Sequence, residues 1–127
     1  WTAARALAPA SFDVALVDGL ILEAERRPQD AAAAYRRAVD LNPANPRARL
    51  NLATVASQLR DYATATAQFE ALLRMGHQPS RVHFALGQLA EMQGQRDEAL
   101  RHYREALRIE PGLRMAEGAI ERLRIED

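Results

Sequence analysis

The sequence predicts an all-α solenoid, a chain of stacked helix-turn-helix repeats, and three observations predict it. Large aromatic residues recur at one fixed spacing, at Trp1, Tyr35, Phe69 and Tyr103. A constant period in the range of about 20 to 50 residues indicates a repeat architecture. Within each period the apolar residues follow helical spacing, and no segment shows the strict alternation of a half-buried strand. Prolines recur near the end of the periods, where a helix must stop.

Three full repeats fit this period, with shorter segments on either side. The repeats span 12–45, 46–79 and 80–113, and the flanking segments span 1–11 and 114–127. Each repeat of a solenoid packs only against its neighbours, so the chain needs no central core. We therefore expect all 127 residues to form a single domain.

Each repeat has the pattern of two helices. The first helix carries a small residue that would let a neighbouring helix approach closely, at Gly19, Ala53 and Gly87. The second helix opens on an alanine and carries the aromatic residue one turn later, on the same face. These alanines are Ala31, Ala65 and Ala99, and apolar pairs complete the stripe at Val39 and Leu41, Leu73 and Met75, and Leu107 and Ile109.

The two flanking segments have different patterns. Trp1 to Pro9 resembles the back half of a second helix, so we expect a preceding repeat in a longer parent chain. Residues 114–127 resemble a first helix with no partner helix after it. Glu121 and Arg124 stand where the full repeats have small or apolar residues, which indicates a solvated helix that caps the array. The alternative is an arbitrary chain boundary.

The pattern resembles the tetratricopeptide repeat, a unit of two antiparallel helices. The matching residues are Leu86, Gly87, Ala99, Tyr103, Ala106 and Pro111 in the third repeat, Gly19, Leu22, Ala31, Tyr35, Ala38 and Pro43 in the first, and Leu52, Ala53, Ala65 and Phe69 in the second. The resemblance covers essentially the whole chain and implies a right-handed superhelical solenoid. Leu72 and His77 depart from it, so we expect the junction after the second repeat to differ locally, with a stop at Gly76.

The composition and motifs argue against several functions. There is no cysteine, and 17 basic residues balance 17 acidic ones, which gives no general attraction to nucleic acid or to anionic membranes. No apolar run approaches the roughly 20 residues that span a bilayer, so no membrane insertion is expected. His77, His83 and His102 form no metal-binding motif, and His83 is expected to be packed. With no nucleotide-binding or nucleophile motif, we expect no cofactor and no enzymatic activity.

Asp18 is a charged residue at a position where the family has a large apolar one. A buried acid could serve a function, but burying an unpaired charge is costly. We favour an ion pair, with Arg5 as the candidate partner, or exposure at the edge of the array.

The resemblance implies a concave groove, lined by the first helices, in which a partner peptide or helix docks. The residues expected to face it are Asp13, Leu16, Val17, Leu20, Glu23, Arg47, Leu50, Asn51, Thr54, Gln58, Arg81, Phe84, Ala85, Gln88 and Met92. Its apolar members should be exposed anchors, although packing against each other is the alternative: Leu16, Leu20, Leu50 and Phe84. Arg47 and Arg81 could receive a carboxylate. Only Asn51 and Arg81 match the clamp with which some family members bind chaperone carboxyl termini, so that role is rejected.

The sequence therefore predicts a protein-interaction scaffold that holds a partner peptide or helix. The alternative is a structural spacer or self-association segment of a larger protein, with the edge from Trp1 to Asp18 as a contact between copies. The arginines of the second helices alternate with acids, which predicts a solvated face rather than a nucleic-acid site. The lysine-free, alanine- and arginine-rich composition indicates a bacterial protein, of the cytoplasm or the periplasm.

Overall fold

The structure, a computed structural model, describes residues 11–125. Over this range it contains α-helices and no strand. The seven helices are α1 (Phe12–Ala24), α2 (Pro28–Leu41), α3 (Pro46–Gln58), α4 (Tyr62–Arg74), α5 (Pro79–Met92), α6 (Arg96–Ile109) and α7 (Arg114–Ile125). The prediction of an all-α repeat fold is confirmed. The helix expected at the start of the chain, and Arg5 within it, lie outside the described residues.

Prolines and short polar side chains begin several of the helices. α2, α3 and α5 each begin with a proline, which has no N–H to leave without a partner in the first turn. Before α1, the Ser11 hydroxyl accepts a hydrogen bond from the Val14 amide at 3.4 Å. Before α3, the Asn45 side chain accepts from two amides of the first turn, at 2.9 and 3.3 Å. Such caps fix where a helix starts.

The turn inside each helix pair has the same form in all three repeats. Arg26, Arg60 and Gly94 occupy equivalent positions of the three repeats and adopt left-handed φ angles of 59°, 61° and 73°. In each turn the following amide donates to a carbonyl near the end of the preceding helix, at 2.8 or 2.9 Å. Glycine adopts this conformation freely, whereas an arginine in it is strained by about 1 kcal/mol.

The connection between α4 and α5 differs from the other two connections between helix pairs, as predicted: residues 42–45 and 110–113 contain no left-handed residue. Gly76 adopts a φ of 69°, and the His77 amide donates to the Leu72 carbonyl at 3.0 Å. Gln78 is also left-handed, with a φ of 44°. Two left-handed residues in three positions therefore redirect the chain before α5 begins.

The chain divides into two compact units, between Gln68 and Phe69. In the first unit, buried apolar residues of α1, α2 and α3 form one cluster. In the second unit, buried apolar residues of α5, α6 and α7 form another. Tyr35 is fully buried in the first cluster, and Tyr103 is fully buried in the second.

A glycine and a tyrosine interlock in each unit. A Cβ atom added to Gly19 would come within 3.0 Å of three atoms of the Tyr35 ring, and one added to Gly87 would come as close to the Tyr103 ring. The sequence predicted a small residue here so that a neighbouring helix could approach. What approaches is the aromatic ring, so two recurring features of the sequence, the small residue and the aromatic, form a single contact.

For two residues, the prediction that they complete the buried apolar stripe is wrong. Leu41 and Met75 are 43% and 40% exposed, whereas Val39 is buried. Leu41 is the last residue of α2, and Met75 follows the last residue of α4. Both therefore lie past the part of the helix that packs.

The last helix, α7, has one buried face and one charged face. Leu123 is buried, and Ile120 is partly buried. Glu121 and Arg124 are exposed and form an ion pair at 3.4 Å. The pattern is the one expected of a capping helix, and the capping role itself stays a prediction.

Candidate functional site

The first helix of the first unit exposes one face to solvent. Asp13, Val17 and Leu20 follow each other at intervals of four and three residues, so they lie on the same side of α1. All three are exposed, Val17 at 38% and Leu20 at 37%. Two neighbouring apolar side chains in solvent on one helix face are a candidate anchor for a partner.

Leu16 was predicted to be an exposed anchor on this face, and that prediction is wrong. Its side chain is 8% exposed and belongs to the apolar cluster of α1, α2 and α3. Leu16 precedes Leu20 by one turn on the same side of α1, but it lies about 100° around the helix from Val17, and the apolar cluster covers it. Leu16 therefore offers little surface to a partner.

Helix α3 presents polar groups at the corresponding positions. Arg47 and Thr54 are exposed, whereas Leu50 and Asn51 are partly buried. The Thr54 hydroxyl donates to the Leu50 carbonyl at 2.9 Å, so its own helix satisfies it. The Asn51 Nδ2 atom is buried and has no hydrogen-bond acceptor in the part of the chain that the structure describes. A buried donor in that state costs about 1–3 kcal/mol.

The second unit has an exposed face of its own on α5. Arg81 and Gln88 are exposed there. Phe84 is only partly exposed because its ring lies against Tyr103, with the ring centroids 5.4 Å apart. For Phe84, packing within the fold is therefore the better description, and an exposed anchor is the weaker one.

Each buried tyrosine reaches a glutamate on the preceding helix. The Tyr35 hydroxyl donates to Glu23 Oε1, and the Tyr103 hydroxyl donates to Glu91 Oε1. Burial first, and the glutamate second, raise the pKa of both phenols above their ordinary value. The hydroxyls therefore stay protonated and keep donating throughout the physiological range.

This contact has a signal in the sequence, which was not among the predictions. The two repeats with a tyrosine carry a glutamate four residues after the interlocking glycine, at Glu23 and Glu91. The middle repeat has Phe69 in place of the tyrosine and Ser57 in place of the glutamate. The Ser57 hydroxyl donates to the Ala53 carbonyl of its own helix at 2.8 Å. At these two positions of the three full repeats, a tyrosine is accompanied by a glutamate, and the repeat without the tyrosine also lacks the glutamate.

The two glutamates differ in their second partner. In the second unit, the Arg122 guanidinium of α7 donates to both oxygens of Glu91, at 2.8 and 2.7 Å, and this pairing lowers the pKa of that carboxyl. Arg122 follows Glu91 by 31 residues. The same count from Glu23 in the first unit leads to Thr54, whose side chain is much shorter. Within the described part of the chain, Glu23 accepts from Tyr35 alone.

A pocket of about 320 Å³ opens beside this carboxylate in the first unit. Its lining residues are Glu23, Arg26, Pro28 and Gln58. They come from the end of α1, the turn that follows, the start of α2 and the end of α3. The pocket thus brings together two of the predicted groove residues, Glu23 and Gln58.

Asp18 is buried and takes part in an ion pair, which confirms one of the two interpretations favoured from the sequence and contradicts the other, exposure at the edge of the array. Its side chain is 4% exposed, and Oδ2 accepts from Arg37 Nη2 at 3.0 Å. An isolated charge at this depth would be strongly unfavourable, so the pairing explains how an acid fits there. The corresponding positions of the next two repeats hold Leu52 and Leu86, both buried.

The structure also brings together two histidines that are distant in sequence. His83 of α5 and His102 of α6 have their Nδ1 atoms 3.2 Å apart, and His102 Nε2 lies 3.3 Å from Glu98 Oε1. If the His102 Nε2–H donates to the glutamate, its Nδ1 accepts from the Nδ1–H of His83, and both contacts are satisfied. Burial is the main cause that lowers the pKa of each ring.

Among residues 11–125 no group of three or more histidine, aspartate and glutamate side chains is arranged to hold a metal ion. Over that range no helix is both long and apolar enough to cross a membrane.

Paired helices, a recurring small residue and a buried aromatic define the class: this is an all-α helical-repeat protein. A family model of the tetratricopeptide repeat matches residues 1–46, 16–65 and 50–113. The chain belongs to the tetratricopeptide-repeat family, whose members are typically non-enzymatic protein-interaction modules. No curated protein sequence matches the chain significantly.

Solved structures of other proteins share the fold. MamA superimposes with a TM-score of 0.84 at 18% identity, over 96% of this chain and 71% of that one. YrrB, described as a TPR protein with an unusual peptide-binding site, gives 0.80 at 22% identity, over 87% of this chain and 57% of that one. The first TPR domain of Spaghetti (RPAP3), bound to an HSP90 peptide, gives 0.77 at 18% identity, over 91% of each chain. At these identities the likeness concerns the fold.

Proposed function

We propose that this chain is a non-enzymatic module that holds a peptide or helix of a partner protein against the first helices of its repeats. The observation that carries the proposal is the exposed apolar face of α1, formed by Val17 and Leu20. Full burial of an exposed side chain of this size is worth about 1.5–3 kcal/mol, and covering the remaining third of each residue under a partner is worth roughly a third of that. The pair is therefore a contributing contact of the proposed site.

Polar groups on the same predicted groove support a protein ligand. Asn51 is partly exposed on this predicted groove, and a side-chain amide of this kind suits the main chain of an extended peptide. Arg47 on α3 and Arg81 on α5 are exposed and suit a partner carboxylate. The peptides named for YrrB and for the RPAP3 domain support a peptide as the ligand here too.

The organisation that goes with this function is also a proposal. We propose that the residues form one tetratricopeptide domain with repeats at 12–45, 46–79 and 80–113, closed by a capping helix in 114–127. One helix pair falls in each of the three ranges, α1 and α2, α3 and α4, and α5 and α6, with α5 beginning at Pro79, one residue before the third range. The helix pairs thus support the proposed repeat boundaries.

Affinity capture with matched variants tests the proposed function. The double variant Leu20→Glu, Asn51→Ala alters the groove face, and Ala33→Glu adds the same charge at an exposed position of α2 as the control. Circular dichroism first establishes that both variants fold. A protein that binds the native chain and the control, but is lost with the double variant, supports the proposal.

Capture of the same proteins by all three chains, or of none, contradicts it. The spacer or self-association alternative then becomes the better description. Sedimentation velocity over a range of concentrations tests that alternative, because self-association gives a sedimentation coefficient that rises with concentration.

A further inference from the structure

Glu23 and Glu91 are equivalent residues with unequal surroundings. Each follows an interlocking glycine by four residues and accepts a hydrogen bond from the buried tyrosine of its own unit. Arg122 then completes Glu91 with two hydrogen bonds, one to each carboxylate oxygen. Glu23 Oε2 has no donor within the described residues, and the pocket of about 320 Å³ opens beside it. In the second unit, a glutamate held by a buried tyrosine thus binds an arginine side chain of the same protein.

We propose that the pocket beside Glu23 binds an arginine side chain of the partner protein, in the way that Glu91 binds Arg122. The identification of the partner as a protein rests on the proposed function. The site itself is defined by the residues around Glu23 and is testable without a partner.

The chemistry of the pocket favours arginine over lysine. The guanidinium carries parallel N–H groups that match the two oxygens of a carboxylate, as the 2.8 and 2.7 Å contacts of Arg122 show. The Gln58 side-chain carbonyl is an additional acceptor in the pocket wall, and the Pro28 ring is an apolar surface for the side-chain stem. A lysine ammonium is a compact charge that cannot make the paired contact.

The exposed residues of α1 next to Glu23 also indicate which residues should flank that arginine in the partner. Leu20 precedes Glu23 by three residues, so it lies on the same side of α1, and Val17 lies one turn further back. A segment with its arginine at Glu23 therefore passes over two exposed apolar side chains. The ligand that fits is an arginine next to apolar residues, and a purely basic segment fits less well.

Two arginines lie near the proposed site and should weaken the binding of a cationic ligand by charge repulsion. Removal of one of them should therefore strengthen the binding. Arg26 lines the pocket, is exposed and makes no ion pair within residues 11–125. Arg47 is exposed on α3 and has a minor lowering effect on the pKa of Tyr35, after the larger effects of burial and Glu23. Because Arg26 is the one in the pocket wall, Arg26→Asn should strengthen arginine binding. Asparagine also tolerates the left-handed backbone at this position.

The test is an NMR titration of the whole chain with two small probes. N-acetyl-arginine methylamide supplies the guanidinium, and N-acetyl-citrulline methylamide has nearly the same shape without the charge. The amide signals of Glu23, Arg26 and Gln58 report binding. Glu23→Gln keeps an acceptor for the Tyr35 hydroxyl, so the fold is retained while the charge is lost. Thr54→Arg supplies a guanidinium at the position equivalent to that of Arg122, and Thr54→Gln is its control.

We expect saturable shifts at these amides with the arginine probe and none with the citrulline probe. Glu23→Gln and Thr54→Arg should weaken the binding at least about tenfold, the equivalent of one charge-assisted pair. Thr54→Gln should leave it unchanged, and Arg26→Asn should strengthen it. Equal shifts with both probes, or shifts that survive Glu23→Gln, overturn the site.

The outcome separates this inference from the proposed function. A partner that is lost with the double variant Leu20→Glu, Asn51→Ala but kept by Glu23→Gln and Thr54→Arg overturns the arginine site and leaves the interaction module intact. Arginine-specific shifts at Glu23, with no protein captured through the groove face, support the site and contradict its use by a protein partner.

Discussion

The first and the second compact unit share one core contact and differ in what surrounds it. Both lock a glycine under a buried tyrosine, and both tie the phenol to a glutamate. In the second unit, Arg122 of α7 donates hydrogen bonds to both oxygens of Glu91. In the first unit, the equivalent position is Thr54, and a pocket lies beside Glu23. The packing contact is thus the same in both units, and the polar position beside it is free to differ.

The same comparison separates the units in their response to acid. The second unit has His83 and His102 in contact, and the equivalent positions of the first unit, two repeats earlier in the chain, are Ala15 and Ala34. Both alanines are buried. The second unit therefore has two titratable rings where the first unit has two methyl groups. Of these equivalent pairs, only the histidine pair of the second unit can change its charge with pH.

The largest predicted effect comes from breaking the shared contact. Gly87→Ala and Gly19→Ala should each destabilise the protein by about 2–3 kcal/mol, because the added Cβ overlaps a fully buried ring that cannot move aside. Urea unfolding followed by circular dichroism measures this. Gly118→Ala in α7 is the matched control: nothing lies within 4 Å of the added Cβ, so it should stabilise the helix by about 0.5–1 kcal/mol. Glycine variants as stable as the control would contradict the interlock.

A smaller effect should distinguish the two glutamates. Tyr35→Phe should cost about 1.5 kcal/mol because Glu23 then retains no donor among the described residues. Tyr103→Phe should cost roughly half as much because Arg122 still holds both oxygens of Glu91. The urea midpoints of the two variants give the comparison. Equal losses would show that Arg122 does not compensate for the phenol.

Between about pH 7.5 and about pH 5.5 the pH dependence should be smaller again and come from the histidine pair, because the carboxyls with a lowered pKa, such as Glu91, take up protons only in more acidic solution. Burial holds the pKa of both rings below that of the unfolded chain, so the unfolded state binds more protons as the pH falls below about 6.5. Stability that is present above that pH is therefore lost on acidification. The charged groups near the pair are Glu70, Glu98, Arg101, Glu105 and Arg108.

Urea midpoints at about pH 7.5 and about pH 5.5 measure this loss. The double variant His83→Ala, His102→Ala, which copies the first unit, should show a smaller decrease than the native chain. An unchanged decrease would assign the pH dependence to other groups.

The smallest predicted effect is that of the closing arginine itself. Arg122→Gln should cost only about 0.5 kcal/mol, since half of the Arg122 side chain is exposed and water replaces part of the lost contact. The cost should fall further at high salt, which screens the native pair. Unfolding at low and high ionic strength tests both statements, and a cost that does not depend on salt would rule out an electrostatic origin.

The repeat fold was predictable because its cause is periodic. Gly19 and Gly87, and Tyr35 and Tyr103, fill the same space in each unit, so they return at the same interval in the sequence. The ends of the repeats were predictable because prolines recur there. Leu16 was misplaced because its exposure depends on how far the apolar cluster extends around α1, which spacing along one helix does not determine.

The polar contacts were not predictable from the periodicity because they break it. The position equivalent to Arg122 in the first unit is Thr54, which carries no charge. The presence of Glu91 in the sequence therefore does not predict a partner in a helix that follows much later in the chain. The contact between His83 and His102 joins two helices, so a motif defined by spacing along one helix cannot reveal it. Asp18 was correctly expected to pair, but Arg37 became visible as a partner only once α1 and α2 were packed.

The strained turns have a consequence for protein engineering. Arg26 and Arg60 both hold the left-handed conformation that Gly94 adopts freely in the third repeat. Replacement of Arg60 by glycine would relieve strain in a turn that does not line the pocket, so it is a position at which heat resistance can be raised at no expected cost to ligand choice. The same replacement at Arg26 removes a charge from the pocket wall, so thermostability and ligand selection are linked at one turn and independent at the other.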